Sequence, residues 1–551
     1  MIDPDLHLAR TLVIEPNTML RGVTAGQLRS GGVGEVVTCG RMQQARELLE
    51  RDTFDIVICN LEPGAPGDLS AHDLLTELRR EQLLPFGTVF LMVTAQITYA
   101  QALEAAETAL DGFLVRPFTG AVLIERVLEA RRRKRELSGV MTALESGKLE
   151  VAVQRALERF QDRQPFWLYC GRVAAEVLLR LQRPQDALVM FERLNQAKLS
   201  AWARVGMARC EWAAGRLGKA QKVIDALLLD EPQCADALDL QGRMRLDRSD
   251  FEGALRSYRA ASLATPGCLL RAQHAGALAF YLGEREEAGQ FLERARSMGA
   301  GTRLFDALSL FLLALVHHDS GDLGSLDDCV KELASFAGRF PQSPRLARIA
   351  GAARALWLSR TNKTAEAVSA VQQFAQAADK DGFDLEAAQV VVSLWVRVSP
   401  ESADAEAASS FAQTVASRFC SSRTITDFFV IASLNHPPFN EAFRQGLAAI
   451  NDTVEKAVQA ASRGSPANAI VDLLAQSERH RNSRLGEVAS MLIKRYTPEL
   501  GPNTSGALSQ QATELLRRFG SGEAHIAGLQ RANRSPGAPG AMSRSLLNRE
   551  R

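Results

Sequence analysis

Four polar residues stand where short apolar runs of the chain end. Glu15 follows Thr11–Ile14, Asn60 follows Asp55–Cys59, Thr94 follows Val89–Val93, and Arg116 follows Gly112–Val115. Together they offer a carboxylate, a neutral amide, a hydroxyl and a guanidinium fork. Pro16 comes directly after Glu15, and Glu62 lies two residues beyond Asn60. Arg116 is suited to hydrogen-bond Asn60 or to pair with Glu15. No Ser/His/Asp, Cys/His or paired-carboxylate set can be assembled elsewhere, so the chain reads as non-enzymatic. The eight cysteines are scattered without CxxC pairing, as reduced thiols in a cytoplasmic protein would be. His317, His318, His436 and His480 have no ligand spacing, so neither metal nor cofactor is expected there. Gly31–Gly34 follows a helical stretch and precedes a strand, which makes it a turn and not a phosphate loop. The basic run Arg131–Arg135 winds around a helix and reads as a solvated face, so nucleic-acid contact is not expected there.

The elements that position these residues come in two kinds. The apolar runs, with Glu35–Thr38 as a fifth, are short and bounded by Gly, Pro or polar residues, and most are rich in Val and Ile, as buried parallel strands are. Helical stretches separate them; in Met42–Arg51, Ala45, Leu48 and Leu49 share a face. Strands alternating with helices give a doubly wound α/β domain, whose working site lies at the carboxyl ends of the strands. Beyond about residue 129 the strand signal stops and a period of 34 appears. Ala208, Gly242 and Gly276 keep it, as do Ala220, Ala254 and Ala288; Leu227, Ala261 and Ala295; and Pro232 with Pro266. Small residues at fixed positions allow close helix pairs, and the proline stops the second helix, so the unit is a helical hairpin.

Looser units flank this frame. Gly147 with Ala152, and Ala175 with Ala187 and Phe191, fit upstream; Ala367 after Asn362 and Ala469 after Gly464 look like later second-helix starts. The helix near Arg131–Ser146 continues from the α/β domain. Residues 302–497 are otherwise helical without a clean period. The double proline of Leu434–Phe439 should interrupt helix. After a short helix, the chain from about Gly520 is rich in Gly, Ser, Pro and Arg and should be disordered.

At 551 residues the chain needs more than one core, and 65 Lys and Arg against 64 Asp and Glu give no field calling for nucleic acid or anionic membrane. The N-terminus has no signal-peptide pattern, and no run of about 18 apolar residues occurs.

The first 128 residues resemble the CheY-like receiver domains of response regulators, a flavodoxin-like fold. The family carries two acids after strand 1, a phosphoacceptor Asp after strand 3, Thr or Ser after strand 4 and Lys after strand 5. Here those places hold Glu15-Pro16, Asn60, Thr94 and Arg116, with Phe113 at the family's switching aromatic. The resemblance therefore implies a degenerate pocket that cannot form an acyl phosphate; weak Mg²⁺ affinity at Glu15 and Glu62, or retention as packing alone, stay open. Ala235–Gly267, with Gly242, Ala254, Tyr258, Ala261 and Pro266, resembles tetratricopeptide repeats. That implies an α-helical solenoid whose first helices line a concave wall. Arg209, Asp239, Arg243 and Gln273 are the residues expected on it, to grip an acidic or carboxylate-bearing peptide.

The expected organisation is a pseudo-receiver over 1–128, repeats over 129–300, a diverged solenoid over 301–500 and a tail over 501–551. The expected function is a two-component (phosphorelay) adaptor. A sensor kinase or another regulator would dock at the receiver, and a peptide or protein at the solenoid. The alternatives are a phosphorylation-responsive regulator with DNA-binding or catalytic output, and a structural assembly factor.

Overall fold

The computed structural model describes residues 3–61, 71, 74–75, 78, 83–95, 111–299, 305–380, 382–398, 405–434 and 436–519. Glu62 and the tail from 520 lie outside the described residues.

Five strands, β1 (Arg10–Ile14), β2 (Glu35–Cys39), β3 (Ile56–Asn60), β4 (Val89–Thr94) and β5 (Gly112–Val115), form one sheet in the order β2-β1-β3-β4-β5. All pairings are parallel, with Ile14 between Cys39 and Cys59 and Thr94 beside Val115. The central strands are apolar but for Thr11 and the terminal Arg10, Asn60 and Thr94, because both faces are covered. Leu12, Ile14, Val57, Cys59, Phe90 and Met92 pack with Met42, Ala45 and Leu49 of helix Met42–Arg51. Val13, Ile56, Ile58, Leu91 and Val93 face the other way, onto Leu28, Leu123 and Val127 of helices Thr18–Ser30 and Gly120–Glu136. Each such side chain removed from water contributes about 1.5–3 kcal/mol. The strand order reverses between β1 and β3, which places the crevice at Glu15 and Asn60.

The solenoid is a succession of helical hairpins. Gly242 of helix Ala235–Leu246 lies against the Tyr258 ring of its partner helix, Phe251–Ala264, where an added Cβ would stand 3.0 Å from the ring. The small-residue column is thus a line of close helix contacts. Each hairpin turns through a residue with positive φ: Gln182, Gly215, Ser249, Gly283, Gly321 and Asn362. Their spacing stays near 34 residues as far as Gly283 and then widens to 38 and 41. The hairpins therefore continue past residue 300, with longer helices such as Leu323–Arg339 and Pro344–Arg360.

In this later part the inner helices are enclosed. Ala307–Leu315 and nearly all of helix Leu385–Val398 are buried, as expected for helices apolar on all sides. Helix Arg423–Ala432 then folds back onto the earlier repeats. Thr424 Oγ1 lies 3.1 Å from Ser249 Oγ, and the Phe428 ring centroid lies 4.5 Å from that of Tyr281. That helix therefore covers part of the earlier repeats at Ser249 and Tyr281.

The double proline marks a helix break, as expected: helix Arg423–Ala432 ends before it, and Pro437 and Pro438 open the next helix, Pro437–Ser462, where a missing N–H costs nothing and the fixed φ suits the first turn. One expectation needs correction. The basic run is not wholly a solvated face, although Arg132 and Arg135 are exposed. Arg131 and Arg135 pair with the buried Asp3 at 2.7 and 3.0 Å, and Arg133 and Lys134 with the buried Asp111 at 2.5 and 3.2 Å. Two carboxylates sunk beside the sheet require counterions, and one helix supplies them. Burial alone would raise the pKa of Asp3, but Arg131 and Arg135 outweigh it and hold the group below the usual carboxylate range. The helix breaks only at Leu137 before Ser138–Glu145, and Glu145 accepts the Phe86 N–H at 2.8 Å, which ties solenoid to sheet. Among the described residues no helix is long and apolar enough to cross a membrane.

Candidate functional site

Glu15, Asn60, Thr94 and Arg116 meet at the carboxyl edge of the sheet because each directly follows, or ends, a neighbouring strand. Glu15 is buried, and its amide donates to the Cys39 carbonyl at 3.0 Å, which extends β1 by one residue. The turn after it is fixed from both sides. Asn17 caps helix Thr18–Ser30 by accepting from the Met19 and Leu20 amides, and Arg21 Nη1 donates to the Glu15 carbonyl at 2.8 Å. Pro16 lies within this turn and contributes no carboxylate.

The Arg116 side chain closes the edge. Its backbone amide donates to the Thr94 carbonyl at 2.9 Å, which aims the side chain from β5 across the crevice. Nη2 pairs with Glu15 Oε2, and Nη1 donates to Asn60 Oδ1 at 3.4 Å. Glu15 Oε1 meanwhile accepts the Asn17 amide at 2.9 Å. Arg116 thus makes both of the contacts open to it, and one guanidinium joins strands 1, 3 and 5. Thr94 is fully buried at the end of β4. Phe113 is half-buried in β5 beside Met92, packed against the Leu12, Cys59 and Met92 cluster.

Receiver domains hold a divalent cation at this edge, and the described residues do not fit one. Mg²⁺ calls for near-octahedral oxygen ligands with carboxylates among them. Both Glu15 oxygens already accept N–H groups, Asn60 Oδ1 accepts from Arg116, and Pro16 offers no side-chain oxygen. No group of three or more His, Cys, Asp or Glu able to hold a metal occurs among the described residues.

The four solenoid residues all have partners within the chain. Arg209 grips both oxygens of Glu176 at 3.0 Å, one hairpin back. Asp239 accepts from Arg271 at 2.8 Å, one hairpin on. Gln273 accepts from the Asp306 amide at 2.8 Å and from Ser309 at 3.1 Å. Arg243 lies at the Tyr258 hydroxyl, whose pKa is raised chiefly by burial. Arg209, Asp239 and Gln273 tie successive first helices together, and Arg243 reaches the second helix of its own hairpin.

Sequence reading missed the centre of this network. Arg271 is almost wholly buried and donates to Asp239, to Asp236 at 3.0 Å and to Thr265 at 2.7 Å. Farther along, Arg345 joins Asp306 at 2.5 Å to Glu386 at 2.6 Å. The available signal was a lone arginine inside the apolar run Leu269–Tyr281. Burial also pushes the neighbouring His274 imidazole down to about 4, with Asp239 opposing.

Residues 11–128 match the family model of the response regulator receiver domain, and residues 178–244 that of the tetratricopeptide repeat. Chemotaxis protein CheY-3 of Vibrio cholerae is 29% identical over 119 residues, covering 21% of this chain and 88% of that protein. Among solved structures, V. cholerae CheY4 aligns over 22% of this chain and 98% of its own, at 20% identity and a TM-score of 0.21. A tetratricopeptide repeat protein from Parabacteroides merdae aligns over 51% of this chain and 98% of its own, at 12% identity and a TM-score of 0.33. The chain joins a CheY-like response-regulator receiver domain to tetratricopeptide repeats, an architecture of two-component signalling with the capacity for protein–protein interaction.

Proposed function

We propose that the protein is a non-enzymatic two-component adaptor with a receiver over residues 1–128 that acts without phosphorylation. The solenoid, regular over 129–300 and diverged over 301–500, recruits or sequesters a second protein. The observation that carries this reading is the bridge from Arg116 to Glu15 and Asn60, at the strand end where a receiver needs its acceptor carboxylate. An amide there supplies no nucleophilic carboxylate oxygen. Consumption of Arg131, Arg133, Lys134 and Arg135 in internal ion pairs argues against a DNA-binding output. On this reading the receiver meets a sensor kinase or another regulator as a preformed surface. Affinity capture with the full-length chain, with and without acetyl phosphate, tests it. The same receiver partner should be retained under both conditions; a partner held only with acetyl phosphate overturns phosphate independence.

A further inference from the structure

The Arg116 guanidinium stands at the strand end where the family carries a lysine ammonium. It lies at the convergence of three strands, pairs with a carboxylate that is 3% exposed, and is itself only 18% exposed. Arginine keeps its charge at every pH a protein survives, and its planar fork can serve two oxygen acceptors at once. Here those acceptors are Glu15 Oε2 and Asn60 Oδ1. An oxygen-lined, partly buried carboxylate needs a positive charge, and in this chain the charge is covalently attached.

We propose that Arg116 replaces the divalent cation of the receiver pocket, so that the pocket is neutralised and held in one state with no metal bound. The inference deepens the phosphate-independent reading and rests on it. It explains why the three departures from the family pattern occur together. With the guanidinium present, a second acid at position 16 would be surplus negative charge for one arginine to balance. A carboxylate at position 60 would draw a metal into space the guanidinium fills. Asn60 instead presents a neutral carbonyl oxygen, which accepts from Arg116 without adding charge. A divalent ion placed between Glu15 and Asn60 would have to displace the guanidinium, because both Glu15 oxygens and Asn60 Oδ1 already accept N–H groups.

The test is thermal unfolding of the full-length chain in a MgCl₂ titration, against an EDTA reference at matched ionic strength. A ligand that binds the folded state raises the midpoint with concentration. The wild-type midpoint should not respond to Mg²⁺. N60D adds a carboxylate while keeping Arg116, and the double variant N60D/R116A removes the competing charge. The double variant should respond to Mg²⁺ with an apparent affinity at least roughly tenfold tighter than N60D. Adding E15Q should abolish that response. A saturable Mg²⁺-dependent rise in the wild type, lost in E15Q, would overturn the inference without any variant of Arg116 having to fold. Equal Mg²⁺ responses in N60D and N60D/R116A would overturn it as well. A wild type that responds to Mg²⁺ yet takes no phosphoryl label would defeat this inference alone; a labelled wild type would defeat the reading beneath it.

Discussion

Arg116 reaches across the carboxyl edge of the sheet to pair with Glu15, a residue 101 positions earlier, and the same guanidinium donates to Asn60. A charge pair this enclosed is costly to break from one side. Glu15→Gln leaves Arg116 facing a neutral amide in a desolvated site, and should destabilise the receiver by about 3 kcal/mol or more. E15L/R116M, which removes both charges, should recover most of that loss. Urea unfolding at low and high salt checks both, and the single-variant loss should change little with salt because the pair is shielded.

His274 gives the solenoid a pH dependence of definite sign. Burial lowers its folded pKa from 6.5 to about 4, so unfolding takes up a proton between those values. Stability is intact above 6.5 and falls as the pH drops toward about 4, by up to about 3 kcal/mol from this one group. His274→Leu should flatten the profile in that window. Asp319 is distinct: burial opposes its charge, but His318, Arg397 and Arg285 lower its pKa far below 3.8, so its contribution is lost only in stronger acid. Urea midpoints across the acid range separate the two.

The contact of Phe428 with Tyr281 and Phe251 should make distant hairpins unfold together. Phe428→Ala should cost about 3–5 kcal/mol. Hydrogen exchange should quicken in helix Leu269–Tyr281 as well as in Arg423–Ala432. Protection lost only around residue 428 would mean that the closure carries no stability.

Two glycines should respond oppositely to alanine. A Cβ on Gly206 would lie 2.3–2.5 Å from the Phe191 ring, and Gly206→Ala should destabilise by about 1–3 kcal/mol. Gly218 is exposed near the start of helix Leu217–Asp230 with nothing within 4 Å of an added Cβ. Gly218→Ala should stabilise by about 0.5 kcal/mol. Thermal melts of the two variants decide this.

The parts legible in the sequence were those with a local cause. Val57, Ile58, Val89 and Leu91 announce strands because a sheet covered on both faces leaves no polar side. Gly242 and Gly276 keep a 34-residue step because each hairpin needs one close approach. The step was lost after Gly283 because the hairpins lengthen, while their left-handed turn residues, Gly321 and Asn362, persist. For the pocket, residue order at the strand ends was enough to bring Glu15, Asn60 and Arg116 together. For Arg209, Asp239, Arg243 and Gln273 it was not. Whether such a side chain meets solvent or the next hairpin depends on how tightly the superhelix winds, and no local pattern encodes that. The prolines at 437 and 438 marked a helix boundary but not which side of it is helical, since proline both ends and begins helices.

Phosphoryl labelling bears on the central claim most directly. The full-length protein is incubated with acetyl phosphate, and its intact mass is read beside that of N60D/R116K, which restores the family's acceptor and lysine. The wild type should remain at its unmodified mass under conditions that label a functional receiver. A stable phosphoryl adduct mapping to residues 1–128 of the wild type would contradict the account.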